Sequence, residues 1–156
     1  MTRENDVDLS EGDGGNSKVQ DLKRRCEMVR KIQPDCVLSI HQNSYPEEAI
    51  HGAQVFYYED SSEGKKLAEI LQKHLVEVLD KENHRQAKGN RTYYMLKKTE
   101  ATLVIVECGF LSNNQEALLL TDEKYQNKVA KAICSGTLEY LSSLVEKSEN
   151  KKITGA

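Results

Sequence analysis

No excess of basic residues marks this sequence: 22 Lys and Arg stand against 25 Asp and Glu, for a net charge of -3. Phosphate backbones are gripped by a basic face, so this balance argues against a general nucleic-acid binder and suits a small or neutral ligand. No apolar run approaches the roughly 20 residues that a membrane helix requires, so no transmembrane segment is expected. The opening MTRENDVDLS has none of the apolar core of a signal peptide. The four cysteines, Cys26, Cys36, Cys108 and Cys134, form no C-x-x-C pair, which argues against a structural zinc site or a thioredoxin-like motif. Each sits among apolar residues and reads as a small buried hydrophobe.

What is present fits one domain of 156 residues, with enough chain for a sizeable core. Residues 1–16 are polar and carry the breaker run EGDGGN, so they read as loop. From Ser17 the apolar residues Val19, Leu22, Cys26, Val29 and Ile32 recur at helical intervals until Pro34, with Ser17 and Gln20 as a capping box. CVLSI, Cys36 to Ile40, reads as a short buried strand, and GAQVFYY, Gly52 to Tyr58, as a second. Ser61 and Ser62 can cap a helix with the stripe Leu67, Ile70, Leu71, Leu75, Val78 and Leu79. The polar span from Lys81 to Asn90 returns the chain to the sheet. TLVIVECG, Thr102 to Gly109, is the most apolar run and suits a central strand covered on both faces. A short helix near Gln115 to Leu120 and a longer one from about Asp122 to Val145 complete the fold, followed by a polar tail over 147–156.

Strands alternating with amphipathic helices predict an α/β fold with an open, mostly parallel sheet flanked by helices in three layers. Ligands of such sheets bind beyond the carboxyl ends of the strands. Two polar residues stand there, His41 after LSI and Glu107 after VIV. Alternation along an extended strand puts Ser39, His41 and Asn43 on one face and Ile40 on the other. His41 is then either a ligand or base, or a polar end-stop to the strand. Glu107 is either a charge at the strand's wet end or a carboxylate kept for chemistry, since partial burial would lift its pKa towards that of a general acid/base. Taken together they suggest a metal-plus-carboxylate hydrolase. His74 reads as a partly packed helical histidine, His84 as a solvated loop residue, and His51 as a residue before a strand that can line the cleft.

The segments TRENDVDL, PDCVLSIHQNS, GAQVFYY, GNRTYYML and VIVECGFLSNNQE occur in the order seen in one enzyme family. The chain resembles the zinc-dependent N-acetylmuramoyl-L-alanine amidases of the amidase-3 type, which cut the amide between N-acetylmuramic acid and the first alanine of the peptidoglycan stem. The likeness spans nearly the whole chain and is nearest to the spore-cortex amidases that act in sporulation and germination. It implies zinc held by His41, catalysis by Glu107, substrate contacts from Asn90 and Arg91, and a loop-setting role for Asn113 and Glu116. It also implies peptidoglycan or a muropeptide as substrate and work outside the cell or at the wall, with no regulatory partner identified.

The same resemblance exposes a gap. Members open with a strand ending in G-H-G-G whose histidine is the first zinc ligand, and a later glutamate is the second; both precede the TR segment, which here begins at Thr2. The expectation is therefore an amidase domain over 1–146 that is N-terminally truncated, lacks the first strand and helix, and is impaired as an enzyme. GDGG, Gly12 to Gly15, carries Asp13 where the family has histidine and reads as loop. Two alternatives stand beside this: a non-catalytic wall-binding or regulatory module, and a different metal hydrolase completed by Glu47, Glu48 or His51.

Overall fold

A computed structural model describes residue 1 and residues 17–154. The TRENDVDL and GDGG segments, with Asp13, lie outside the described residues, as does the side chain of Ser17 expected to cap the first helix. The elements in chain order are α1 (Ser17–Ile32), β1 (Val37–Asn43), β2 (Gln54–Tyr58), α2 (Ser62–Leu79), β3 (Lys88–Asn90), α3 (Tyr94–Lys98), β4 (Leu103–Phe110), α4 (Asn114–Thr121) and α5 (Glu123–Thr154).

Helix α1 stops where its sequence says it must. Gln33 turns into the left-handed region at φ 49° and its N–H still reaches the Val29 carbonyl, after which Pro34 prevents continuation. Helix α2 begins at Ser61, whose hydroxyl accepts from the Gly64 N–H. Its Leu67, Leu71 and Leu75, spaced four residues apart, have no solvent exposure, and each such burial is worth about 1.5–3 kcal/mol.

The strands form one open sheet in the order β1-β4-β2-β3. The β1–β4 and β2–β3 pairs are parallel, and β2–β4 is antiparallel. The exception follows from the connections: helix α2 carries the chain from β2 back to a parallel β3, whereas the link from β1 to β2 contains no helix, so β2 starts where β1 ends and runs the opposite way. All eight residues of β4 are buried, as its uninterrupted apolar run requires.

Alternation sorts the strand residues onto two faces. Leu38, Val55, Val104, Val106 and Cys108 pack against α2 and α5, with Leu67, Leu71, Val129, Ala132 and Tyr140. Val37, Phe56, Leu103 and Ile105 pack with Cys26 of α1 and with Met95 and Leu96 of α3. The result is a three-layer α/β/α arrangement.

Three expectations are corrected. Helix α5 does not end near Val145 but continues to Thr154, so the polar segment 147–156 is helical through that residue. Between Val145 and Gly155 no glycine or proline interrupts the chain, and Glu and Lys are good helix formers. The five-residue α3 was not anticipated, because TYYMLKK is too short for periodicity and its aromatic residues favour strand. Cys134 is exposed rather than buried, since the side of α5 that carries it faces a groove beside β1.

Candidate active site

At the carboxyl ends of β1 and β4 the parallel register sets His41 directly opposite Glu107, and the antiparallel register sets Gln54 of β2 on the other side of Glu107. Since Val37, Ile105 and Phe56 lie on the α1/α3 face, residues two or four positions along the same strands share that face. His41, Glu107 and Gln54 thus make one row across three strands. Gln54 was not singled out from the sequence: it is the first residue of its strand, and only the pairing places it in the row.

The site's shape comes from irregularities at the strand ends. The β1–β4 register shifts between His41 and Asn43, and Asn43 pairs with Phe110 beyond the shift. Gly109 at φ 157° lies at this bend, and a Cβ there would stand 3.2 Å from a Glu116 carboxylate oxygen. That carboxylate is fully used, Oε2 accepting from the Phe110 N–H at 2.8 Å and Oε1 from the Gly52 N–H at 3.0 Å. Asn113 caps α4, its Oδ1 accepting from the Gln115 and Glu116 N–H groups, while its Nδ2 donates to the Glu48 carbonyl. Asn113 and Glu116 therefore tie the end of β4 to the loop after β1.

Glu107 is the chemically unusual group. It is 8% exposed, and its Oε2 is fully buried with no hydrogen-bond partner among the described residues. Burial pushes its pKa above the ordinary carboxylate value. Its charge is felt by neighbours: burial first and Glu107 second raise the Tyr93 phenol and push the Cys108 thiol up to about 11. His41 Nε2 lies 2.8 Å from the Ser39 hydroxyl, so the alternation read from the sequence places two side chains in direct contact. Burial, then the positive Arg25 and Lys18 of α1, hold the imidazole pKa below its usual value, so the ring is neutral at pH 7 and keeps a lone pair for a proton or a metal.

The other candidates fall elsewhere. Asn90 pairs with Tyr58, at the far end of β2 from Gln54, about 13 Å along the strand. Its Oδ1 accepts from the Thr92 N–H and hydroxyl and from the Tyr93 N–H, which builds the turn into α3. Arg91 is exposed and donates to Glu59 at 2.6 Å and Asp60 at 2.8 Å. His74 lies 2.8 Å from Glu139 between α2 and α5, and His84 is exposed. His51 is exposed and contributes its carbonyl, which accepts from Arg85 Nε. Among the described residues, no three His, Cys, Asp or Glu side chains come together as a metal-holding group. His41 is a suitable single donor, but the described residues do not provide the three protein ligands that catalytic zinc takes.

Comparison with known proteins gives this row a context. The profile of Amidase_3, N-acetylmuramoyl-L-alanine amidase, matches residues 1–139. A germination-specific N-acetylmuramoyl-L-alanine amidase of Bacillus subtilis (strain 168) is 39% identical over 145 residues, which cover 91% of this chain and 61% of that protein. The CwlD amidase from Clostridioides difficile, solved in complex with the GerS lipoprotein, superposes with a TM-score of 0.87 at 38% identity, over 91% of this chain and 74% of that one. The catalytic domain of the amidase CwlV from Bacillus (Paenibacillus) polymyxa var. colistinus gives a TM-score of 0.76 at 28% identity, over 90% and 70% of the two chains. The matched span 1–139 contains the strands that carry His41 and Glu107, and the chain belongs to the N-acetylmuramoyl-L-alanine amidase family, Amidase_3.

Proposed function

We propose that this chain carries the carboxylate half of a peptidoglycan amidase site and acts at the cell wall on the amide joining N-acetylmuramic acid to L-alanine. The observation that carries the reading is the buried Glu107 carboxylate, one oxygen of which has no partner among the described residues, beside His41 near the open end of the sheet. A carboxyl whose pKa is raised can serve as both base and acid. Glu107 takes a proton from the water that attacks the lactyl carbonyl, then delivers it to the alanine nitrogen as the C–N bond breaks. His41 enters as one donor to the zinc expected of the family, whose remaining ligands are not grouped with it among the described residues. Asn90 and Arg91 enter as contacts for the outlying part of an extended substrate, given their distance from Glu107.

A second reading is favoured by the absence of a three-donor group among the described residues: the chain binds muropeptide without cutting it. One pair of measurements separates the two. The 156-residue chain, with added zinc, is titrated with a soluble muramyl peptide, and new free alanine amino groups are then counted. Binding with slow amine release that disappears in Glu107→Gln supports the amidase reading. Binding that is indifferent to both chelator and Glu107→Ala supports the binding module. Absence of binding overturns both.

A further inference from the structure

Arg85 stands next to the catalytic row and differs from the other fixed arginines. Its Nε donates to the His51 carbonyl at 2.7 Å, its Nη1 donates to Gln54 Oε1 at 3.1 Å, and its guanidinium carbon lies 4.9 Å from the centre of the Phe110 ring. All three partners are neutral. Arg91 is neutralised by Glu59 and Asp60, and Arg25 by Asp21. Arg85 is half-buried and has no carboxylate partner among the described residues, and its Nη2 makes no hydrogen bond among them. The ring and the two neutral oxygens hold the guanidinium in place without neutralising its charge, so its geometry suits an anion that arrives from outside.

We propose that Arg85 is a specificity residue that grips the α-carboxylate of the second stem residue while the muramoyl–alanine amide lies at Glu107; this rests on the amidase reading above. The spacing supports it. Gln54 stands one strand spacing, about 5 Å, from Glu107, and Arg85 sits on the outer side of Gln54. Two peptide units span about 7 Å, which carries a substrate from the scissile amide to that carboxylate. Gln54 then has two tasks, bordering Glu107 and fixing the orientation of the guanidinium, with its Nε2 anchored on the Gln86 carbonyl. The fork shape of arginine matters here, because two parallel N–H donors match a planar carboxylate and a lysine offers only a point charge.

The test uses a matched pair of probes, MurNAc-L-Ala-D-Glu with a free α-carboxylate and the same compound with that group as a carboxamide. Calorimetric titration of the full chain is expected to show the acid bound at least about tenfold more tightly than the amide, as a charge-assisted hydrogen bond demands. Arg85→Gln should bring that ratio to about one, and Arg85→Lys should leave an intermediate ratio. Because both probes meet the same protein sample, a general loss of folding cannot imitate a change in their ratio; a variant that binds neither is replaced by Gln54→Leu, which should lower the ratio by freeing the guanidinium. Equal binding of acid and amide by the unaltered chain, or a ratio kept in Arg85→Gln, overturns this inference and leaves the amidase reading standing. Binding of neither probe by the unaltered chain brings down the amidase reading and this inference together.

Discussion

Glu107 is kept as an ionisable group where ionisation is costly. Its pKa is raised by burial, so between the ordinary glutamate range and the raised value the folded chain binds more protons than the unfolded one. Stability therefore falls as pH rises through that window, as the carboxyl ionises without a hydrogen-bond partner for Oε2 among the described residues. Glu107→Gln removes the charge, so thermal unfolding at pH 7 should show the variant more stable by about 1 kcal/mol, the scale of a buried unsatisfied polar group. The difference should shrink as pH is lowered towards 4, where the native side chain is neutral too. A variant less stable than the parent at pH 7 would mean that the carboxylate has a partner holding it charged. Such a cost, borne at one residue, is consistent with the proton-transfer role proposed for Glu107.

Between elements, helices α2 and α5 pack closely against each other. Gly136 has no side chain because a Cβ there would stand 2.9 Å from Leu71 Cδ2 and 3.3 Å from the Leu71 Cα. The near approach also brings His74 to Glu139 and Lys66 to Ser143. Glycine inside a helix usually costs about 1 kcal/mol relative to alanine, so its use here reflects packing and not local preference. Gly136→Val should force the helices apart and cost about 1–3 kcal/mol in urea denaturation. A variant of unchanged or greater stability would show that the two helices separate freely.

For the whole molecule, the described fold leaves one side of β1 without a strand partner, and between β1 and α5 runs an apolar groove of about 600 Å³. Leu38, Ile40, Ile133 and Leu138 line it, with Ile40 49% and Leu138 59% exposed. Exposed apolar surface of this kind binds hydrophobic dyes. The folded chain should raise anilinonaphthalene sulfonate fluorescence while keeping a cooperative unfolding transition, and Leu138→Lys should reduce the signal at least about twofold. A dye signal equal in the variant would place the binding surface elsewhere.

Much of this organisation is legible in the chain before it folds. The central strand follows from an unbroken apolar run, because only a strand covered on both faces can hide TLVIVECG. The helices α1 and α2 follow from apolar spacing and from Ser61 and Pro34 at their ends, since those signals are local. That His41 and Glu107 lie toward the carboxyl ends of their strands was equally local, although β1 runs on to Asn43 and β4 to Phe110, and the sequence motifs around them identify the family. Tertiary structure alone decided which residues meet. The register of β2 brings Gln54 beside Glu107, and through Gln54 it brings Arg85, from a polar loop with no pattern of its own. It also carries Asn90 and Arg91 to the opposite end of the sheet, where a neighbouring acidic pair engages Arg91. Local propensity fixes what each segment becomes, but pairing direction depends on how the segments are connected and packed. The company that His41 and Glu107 keep is set only when β2 runs antiparallel to β4.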